Sequence, residues 1–378
     1  MIDSGVNNIA ILLLVAPIRR HVVAKAKGGA HMPHSTTGLY PSDRQWELAG
    51  KGQPHPGVLI GGAAARAKQI EYSILAVLQV GGAAAAIWWL FTHPTGWVEW
   101  SAFISGYLII NYGLSCGFHR YFTHRSFETS TWMRYLIGIC GQMACQGSVK
   151  KWAADHRRHH AFSDEVGDIH SPHIDGHGRK MGPVKGLLIG HLGWLWDNAH
   201  TDMRIYGKGL VGDPVVEFCH KTRWFWVAFS LFILPAGWAL AFGGPEHVVG
   251  TVLIGGFLRT FIFLNGVMGT NSLAHYFGYR RYHDVGKATN NWFITILTLG
   301  DGWHNNHHAQ PRAASNKIGW WELDFNGATI ETLGKLGLVW NVQRRDKNRA
   351  SGHPDPHQLE GKPVMNFAEP VKVDETVS

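Results

Sequence analysis

The chain has 378 residues, among them 24 histidines and 17 tryptophans, and a formal net charge of +8. Its four cysteines (Cys116, Cys140, Cys145 and Cys219) form no CxxC pair, which argues against a zinc–thiolate site and a disulfide framework. The positive charge admits nucleic acid or an anionic membrane surface as a partner, and where that charge lies decides between them.

In chain order, residues 1–70 open with NNIAILLLVAPIRR, whose basic pair follows its apolar run, the reverse of a signal peptide. This segment reads as a partly disordered cytoplasmic lead-in. Long apolar runs then predict membrane spans at about 72–92, 97–118, 224–244 and 248–275. Trp88, Trp89, Trp97 and Trp100 surround one short connection and Trp224 and Trp226 stand at another end, as an interfacial belt requires. Two shorter apolar stretches, 132–147 and 186–196, cannot cross a core of about 30 Å and are expected to lie in the interface. Residues 71–345 form the main domain, and 346–378 read as a disordered cytoplasmic tail.

Of the 35 Lys and Arg residues, eight precede the first span, 14 lie between Phe118 and Trp224, and 12 follow His275. The connections HPTGWVE and GPEH contain none. The positive-inside rule therefore puts both ends and the long middle loop in the cytosol. The basic excess then reports topology and attraction to membrane lipid, and no nucleic acid partner is expected. The remaining basic residue, Arg259, falls inside the fourth span and should face protein there.

Histidines gather at the expected cytoplasmic ends. HRYFTH supplies His119 and His124, HRRHH supplies His156, His159 and His160, and HNNHH supplies His304, His307 and His308. NSLAH places Asn271 one helical turn before His275. On a helix, positions i, i+3 and i+4 share a face, so the imidazoles of HRRHH point together while Arg157 and Arg158 point elsewhere. Nine imidazoles and one amide exceed the needs of one ion, whereas two ions with four or five ligands each would use them all. Imidazole without thiolate, with positions left open, suits redox iron. His21, His31, His34, His55, His93, His247, His353 and His357 read as ordinary surface residues.

These boxes and their flanks, HRYFTHRSFET, WAADHRRHHAFSDE, FLRTFIFLNGVMGTNSLAHYFG and GDGWHNNHH, closely resemble the membrane fatty acyl desaturases of the stearoyl-CoA Δ9 type, over roughly residues 70 to 345. The resemblance implies an all-α integral membrane protein with four transmembrane helices and a cytosolic helical cap. The cap would hold two iron ions (Fe2+/Fe3+) on the nine histidines, with Asn271 reaching its iron through water. O2 would be the co-substrate and a cis double bond, at Δ9 by resemblance, the product. The acyl carrier is expected to be CoA, with acyl carrier protein and phospholipid left open. Gln146 and Trp152 match residues that shape the kink of the acyl tunnel. HPGV at 55–58 lacks the family's HPGG cytochrome b5 signature, so a separate donor of the ferredoxin, rubredoxin or cytochrome b5 type with its reductase is expected.

Asp155, Asp164, Asp168 and Asp301 are candidates to orient ligand imidazoles, each weighed against an ordinary cap or surface charge. Lys150, Lys151, Arg157, Arg158, Arg179, Lys180 and Lys185 are candidates to hold a carrier's phosphates, against a plain role in topology. Two rival readings stand beside the desaturase. One is a di-iron membrane hydroxylase of alkyl or lipid chains. The other is a non-catalytic metal-binding or transport protein, which would favour polar groups at the bilayer midplane. The membrane is expected to be a bacterial inner membrane, with that of the endoplasmic reticulum as the alternative.

Overall fold

The computed structural model describes residues 44–47, 54–176 and 178–346. Most of the expected lead-in, and the tail past residue 346, lie outside the described residues. So do His21, His31, His34, His353 and His357. Two small sheets accompany the helices. β1 (Arg44–Glu47), β2 (Pro54–Ile60) and β4 (Ala199–Thr201) form an antiparallel three-stranded sheet in the order β1-β2-β4. β3 (Glu128–Thr129) pairs with β5 (Val339–Trp340).

Helix α1 spans Gly62–Thr92 and so begins ten residues before the expected span. The added turns, GAAARAKQIE, are alanine-rich and strongly helix-forming. Residues 54–70, expected in the lead-in, are therefore a strand and the start of a helix. Helix α2 (Trp97–Tyr112) continues as a π-helix through Gly113–Thr123. Helices α3 (Thr131–Gln142), α4 (Val149–Phe162) and α5 (Pro183–His191) follow. Helices α6 (Pro214–Phe242) and α7 (Pro245–His275) are long, and each contains a π-wound segment, Phe229–Ile233 and Val252–Leu258. Short helices α8 (Trp292–Thr298), α9 (His304–Ala309) and α10 (Phe325–Lys335) follow.

Three of these helices, α1, α6 and α7, are long and apolar enough to cross a membrane, where four spans were expected. The stretch from Trp97 to Thr123 has the length, but it includes Glu99, Asn111, His119 and Arg120. Helices α3 and α5 leave Trp132, Leu136, Val184 and Leu188 exposed, an apolar surface on elements too short to span.

The π segment packs backbone to backbone on α3. A Cβ at Gly113 would stand 2.2 Å from the Cys140 carbonyl carbon and 2.3 Å from the Gly141 nitrogen. Gln142 fixes the turn from α3 into α4, donating to the Gly147 carbonyl (3.1 Å) and accepting from the Val149 N–H (2.9 Å). Ser148 then caps α4 by accepting from the Lys151 N–H. A Gly113→Ala variant should lose roughly 1–3 kcal/mol by forcing α3 away from the π segment. Thermal unfolding in detergent checks this, and an unchanged midpoint would contradict the packing described.

Candidate metal centre

HxxxxH spacing does not suit an α-helix, where five residues turn side chains about 140° apart. A π-helix closes its hydrogen bonds five residues apart. Here the His124 N–H donates to the His119 carbonyl (3.2 Å), and the two rings lie on one face with centroids 4.9 Å apart. The loose winding of α2's extension is what lets both imidazoles of HRYFTH serve one site.

The two HxxHH boxes lie on α4 and α9 and divide their histidines crosswise. His156 and His160 join His119, His124 and His307 in one set, while His304 and His308 join His159 and His275 in the other. All ligand atoms within each set lie within 4.8 Å of one another. In the first set the Nε2 atoms run His119–His307 (3.0 Å), His307–His160 (2.9 Å) and His160–His156 (3.0 Å). In the second they run His159–His308 (3.2 Å), His308–His304 (3.0 Å) and His304–His275 (3.1 Å).

These spacings fit metal ions. Nitrogens about 2.1 Å from a first-row ion and at right angles to each other stand about 3.0 Å apart. Hydrogen bonding alone does not explain the chains. His307 Nε2 has two nitrogen neighbours, and buried His124 has no partner for either ring nitrogen among the described residues. Burial, then the neighbouring imidazoles, holds His156, His159, His160, His304 and His307 well below the ordinary histidine pKa, and His308 at about 3. All six rings are neutral at pH 7 and offer lone pairs. All donors are nitrogen, a set that suits a first-row transition metal such as iron, zinc or copper.

Three of the four candidate aspartates stand behind ligand rings. Asp164 Oδ2 lies 2.8 Å from His275 Nδ1, and Asp168 Oδ1 lies 2.9 Å from His159 Nδ1. An Nδ1 proton engaged there leaves the Nε2 lone pair for the ion. Burial would raise Asp164, but His275 and the Lys287 N–H hold it below the usual carboxylate range, whereas burial and Asp164 push Asp168 up to about 7. Asp301 stands 3.7 Å from His119 Nδ1 and is engaged by Arg120 at 2.9 Å. Asp155 does not orient an imidazole: it accepts from Thr201 Oγ1 at 2.6 Å, binding α4 to β4.

Several expected carrier contacts are placed elsewhere. Arg157 and Arg158 are each 2% exposed. Arg157 donates to the carbonyls of Phe122, Thr123, Tyr206 and Lys208, and Arg158 to the Gly167 carbonyl and Thr201 Oγ1. They point away from the histidines, as the helix geometry required, but into protein and not toward a phosphate. Lys150 pairs with Glu217 (2.9 Å), and the Lys151 ammonium sits 5.2 Å from the Tyr72 ring centroid. Arg179, Lys180 and Lys185 are exposed. Trp152 stacks on His156 (5.0 Å between centroids) and touches Phe118 (6.0 Å), which puts it at the metal sets. Gln146 is buried, and its Nε2 has no hydrogen-bond partner among the described residues. Asn271 is half-buried, one turn before His275.

Other residues of the site carry no ligand pattern in the sequence. Asn305 accepts from the Arg281 and Tyr282 N–H groups and donates to the Tyr282 and Ala288 carbonyls. Asn306 donates to the Asn316 carbonyl and Glu322. Together they pin α9 between loops, so the two letters inside HNNHH position the three around them. Arg120, inside HRYFTH, bridges Asp301 and Asp324 (3.0 Å) and donates to the Ala314 carbonyl. The His170 ring lies 4.3 Å from that of His159.

The structure is thus a mostly helical, metal-binding protein with membrane-length apolar helices and two buried all-imidazole ligand sets. The chain matches the family model "Fatty acid desaturase" over residues 94–342. It is 34% identical over 273 residues to a hex-5-enoyl-[acyl-carrier protein] acetylenase of Moorena producens, covering 72% of this chain and 84% of that one. To an sn-1 stearoyl-lipid 9-desaturase of Anabaena variabilis it is 37% identical over 239 residues (63% and 80%). To an icosanoyl-CoA 5-desaturase of Limnanthes douglasii it is 30% identical over 255 residues (65% and 66%). The chain belongs to the fatty acid desaturase family, oxidoreductases of lipid metabolism.

The depressed imidazole pKa values set a pH dependence for the metal-free fold. Above about 6.5 these histidines are neutral folded and unfolded, and contribute no slope. Below that the unfolded chain binds protons that the folded chain refuses, so stability falls as pH falls, one proton's slope per imidazole. Unfolding of chelator-stripped protein should move to markedly lower temperature between pH 7.5 and 5.5. A flat profile over that range would contradict neutral, buried histidines.

Proposed function

We propose that the chain is an O2-dependent acyl desaturase that introduces a cis double bond, at Δ9, into a saturated chain esterified in a membrane lipid. The observation that carries this is the convergence of nine imidazoles, most of them buried, into sets of five and four within the motifs of a desaturase family. Two iron ions bound there would supply the one-electron chemistry with O2 that breaks unactivated C–H bonds, which no acid or base side chain can do. In the balanced reaction the chain loses two hydrogens, and with two electrons and two protons from a donor O2 becomes two waters.

The protein's own groups bind, orient and exclude water. Asp164 and Asp168 hold the Nδ1 protons of His275 and His159, and burial favours the neutral form of His156, His159, His160, His304, His307 and His308. Trp152, stacked on His156, presents an apolar wall beside the first set, and Gln146 offers an amide N–H group without a partner among the described residues at the turn into α4. Asn271 reaches the second set through water. A methylene pair pressed against Trp152 would thereby meet the metal sets with bulk water excluded.

Four spans, α1, α2 with its π extension, α6 and α7, bring all histidine clusters to the cytosolic face in this reading. The basic residues of the termini and middle loop support that orientation. Helices of 31 residues such as α1 and α7 measure about 46 Å, so their ends extend beyond a core of about 30 Å and carry His275 into the cap. The lipid carrier is favoured over CoA because Lys150, Arg157 and Arg158 are engaged within the protein, and because a relative at 37% identity is named for a lipid substrate. Electrons come from a separate ferredoxin, rubredoxin or cytochrome b5 type donor.

Expression in a desaturase-deficient host, with isotope-labelled stearate and double-bond mapping by mass spectrometry, tests the proposal. A cis-Δ9 bond should appear first in membrane glycerolipid. First appearance in the acyl-CoA pool would move the carrier assignment to CoA. A hydroxylated chain in place of the alkene would establish the hydroxylase reading, and metal-loaded protein with no oxidised lipid the non-catalytic one.

A further inference from the structure

Arg259 lies 14 residues into α7, about 21 Å from its start, and is 0% exposed. Its Nη2 donates to the Ser230 carbonyl (3.1 Å), Ser230 Oγ (2.7 Å) and Thr260 Oγ1 (2.9 Å). Ser230 belongs to the π segment of α6, and Thr260 Oγ1 donates to the Gly256 carbonyl in the π segment of α7. The guanidinium therefore sits where the two loosely wound segments meet. Among the described residues its Nε and Nη1 are buried without partners and no carboxylate pairs with it. Arginine does not shed its proton in proteins, so this is a buried cation with two idle donors and no counter-charge.

Beside it is a cavity of about 20 Å³, lined mainly by apolar side chains together with Ser105, Gly106, Trp238 and Arg259 itself. Gly106 keeps the guanidinium in place, since a Cβ there would stand 2.3 Å from Nη1. The volume suits a single small particle. Apart from Arg259, only Ser105 and Trp238 bring polar side-chain atoms to the lining, and the Trp238 Nε1–H already donates to Ser101 Oγ (3.0 Å). A water there would meet few partners and leave the charge uncompensated.

We propose that this cavity binds one small monovalent anion of the chloride class, which accepts from Arg259 and ties α2, α6 and α7 together. The site is separate from the histidine sets and independent of the proposed reaction. In purified full-length protein at constant ionic strength, the unfolding temperature should be a few degrees higher in chloride or bromide than in gluconate, which is too large for the cavity. Filling the cavity with Ser105→Val should abolish the difference, and crystals grown in bromide should show an anomalous peak against the guanidinium. The bromide measurement uses the unaltered chain and stands even if the variant fails to fold. Equal unfolding temperatures in the three salts, a halide effect that survives Ser105→Val, or bromide crystals without the peak would each overturn the proposal.

Discussion

Nine imidazoles must bring their lone pairs together in two small volumes, and the rest of the architecture answers to that constraint. Neutral rings at 3 Å spacing are stable only if water is kept out and their far nitrogens are held. Burial supplies the first condition and depresses the pKa values. Asp164 and Asp168 supply the second for His275 and His159. The same burial makes the metal-free site an unfavourable place for protons, so bound metal and fold support each other below neutrality.

The crosswise division of the two HxxHH boxes gives the centre its rigidity. Because α4 and α9 each contribute to both sets, neither set can shift without moving the other. A π-wound helix end, a three-residue 3-10 turn at Leu273–His275 and the short helix α9 each bring ligands in from a different direction. The buried asparagines and Arg120 then fix those directions through backbone carbonyls and carboxylates. Hydrogen bonds of this kind contribute modestly when made and cost more when left unmade, so they set geometry more than they add stability.

Much of this was legible in the sequence, for identifiable reasons. The candidate ligands are visible because chemistry restricts them to a few residue types at periodic spacing, and each of the nine histidines falls in a set that could hold a metal ion. That α4 would turn His156, His159 and His160 to one side followed from helix geometry. Which set each ring joins did not, because it depends on how α4 crosses α9, and crossings leave no local pattern. Arg157 and Arg158 were misjudged for a related reason. Pointing away from the histidines is readable from angle, but what lies on that side is not, and there they found the carbonyls of 122–123 and 206–208. The early start of α1 was hidden because the apolar run that marks a span begins after the alanine-rich turns that carry the same helix. That Arg259 faces protein follows from its place inside an apolar run, whereas its lack of a counter-charge among the described residues depends on the packing of α2, α6 and α7 around it.

The central claim, that two imidazole-only sets hold two irons, is tested most directly by iron quantification and X-ray absorption on the purified chain. The expected result is about two irons per chain with nitrogen-dominated coordination at about 2.1 Å and no sulfur. One iron per chain, a preference for zinc over iron, or coordination led by protein carboxylates would contradict the claim.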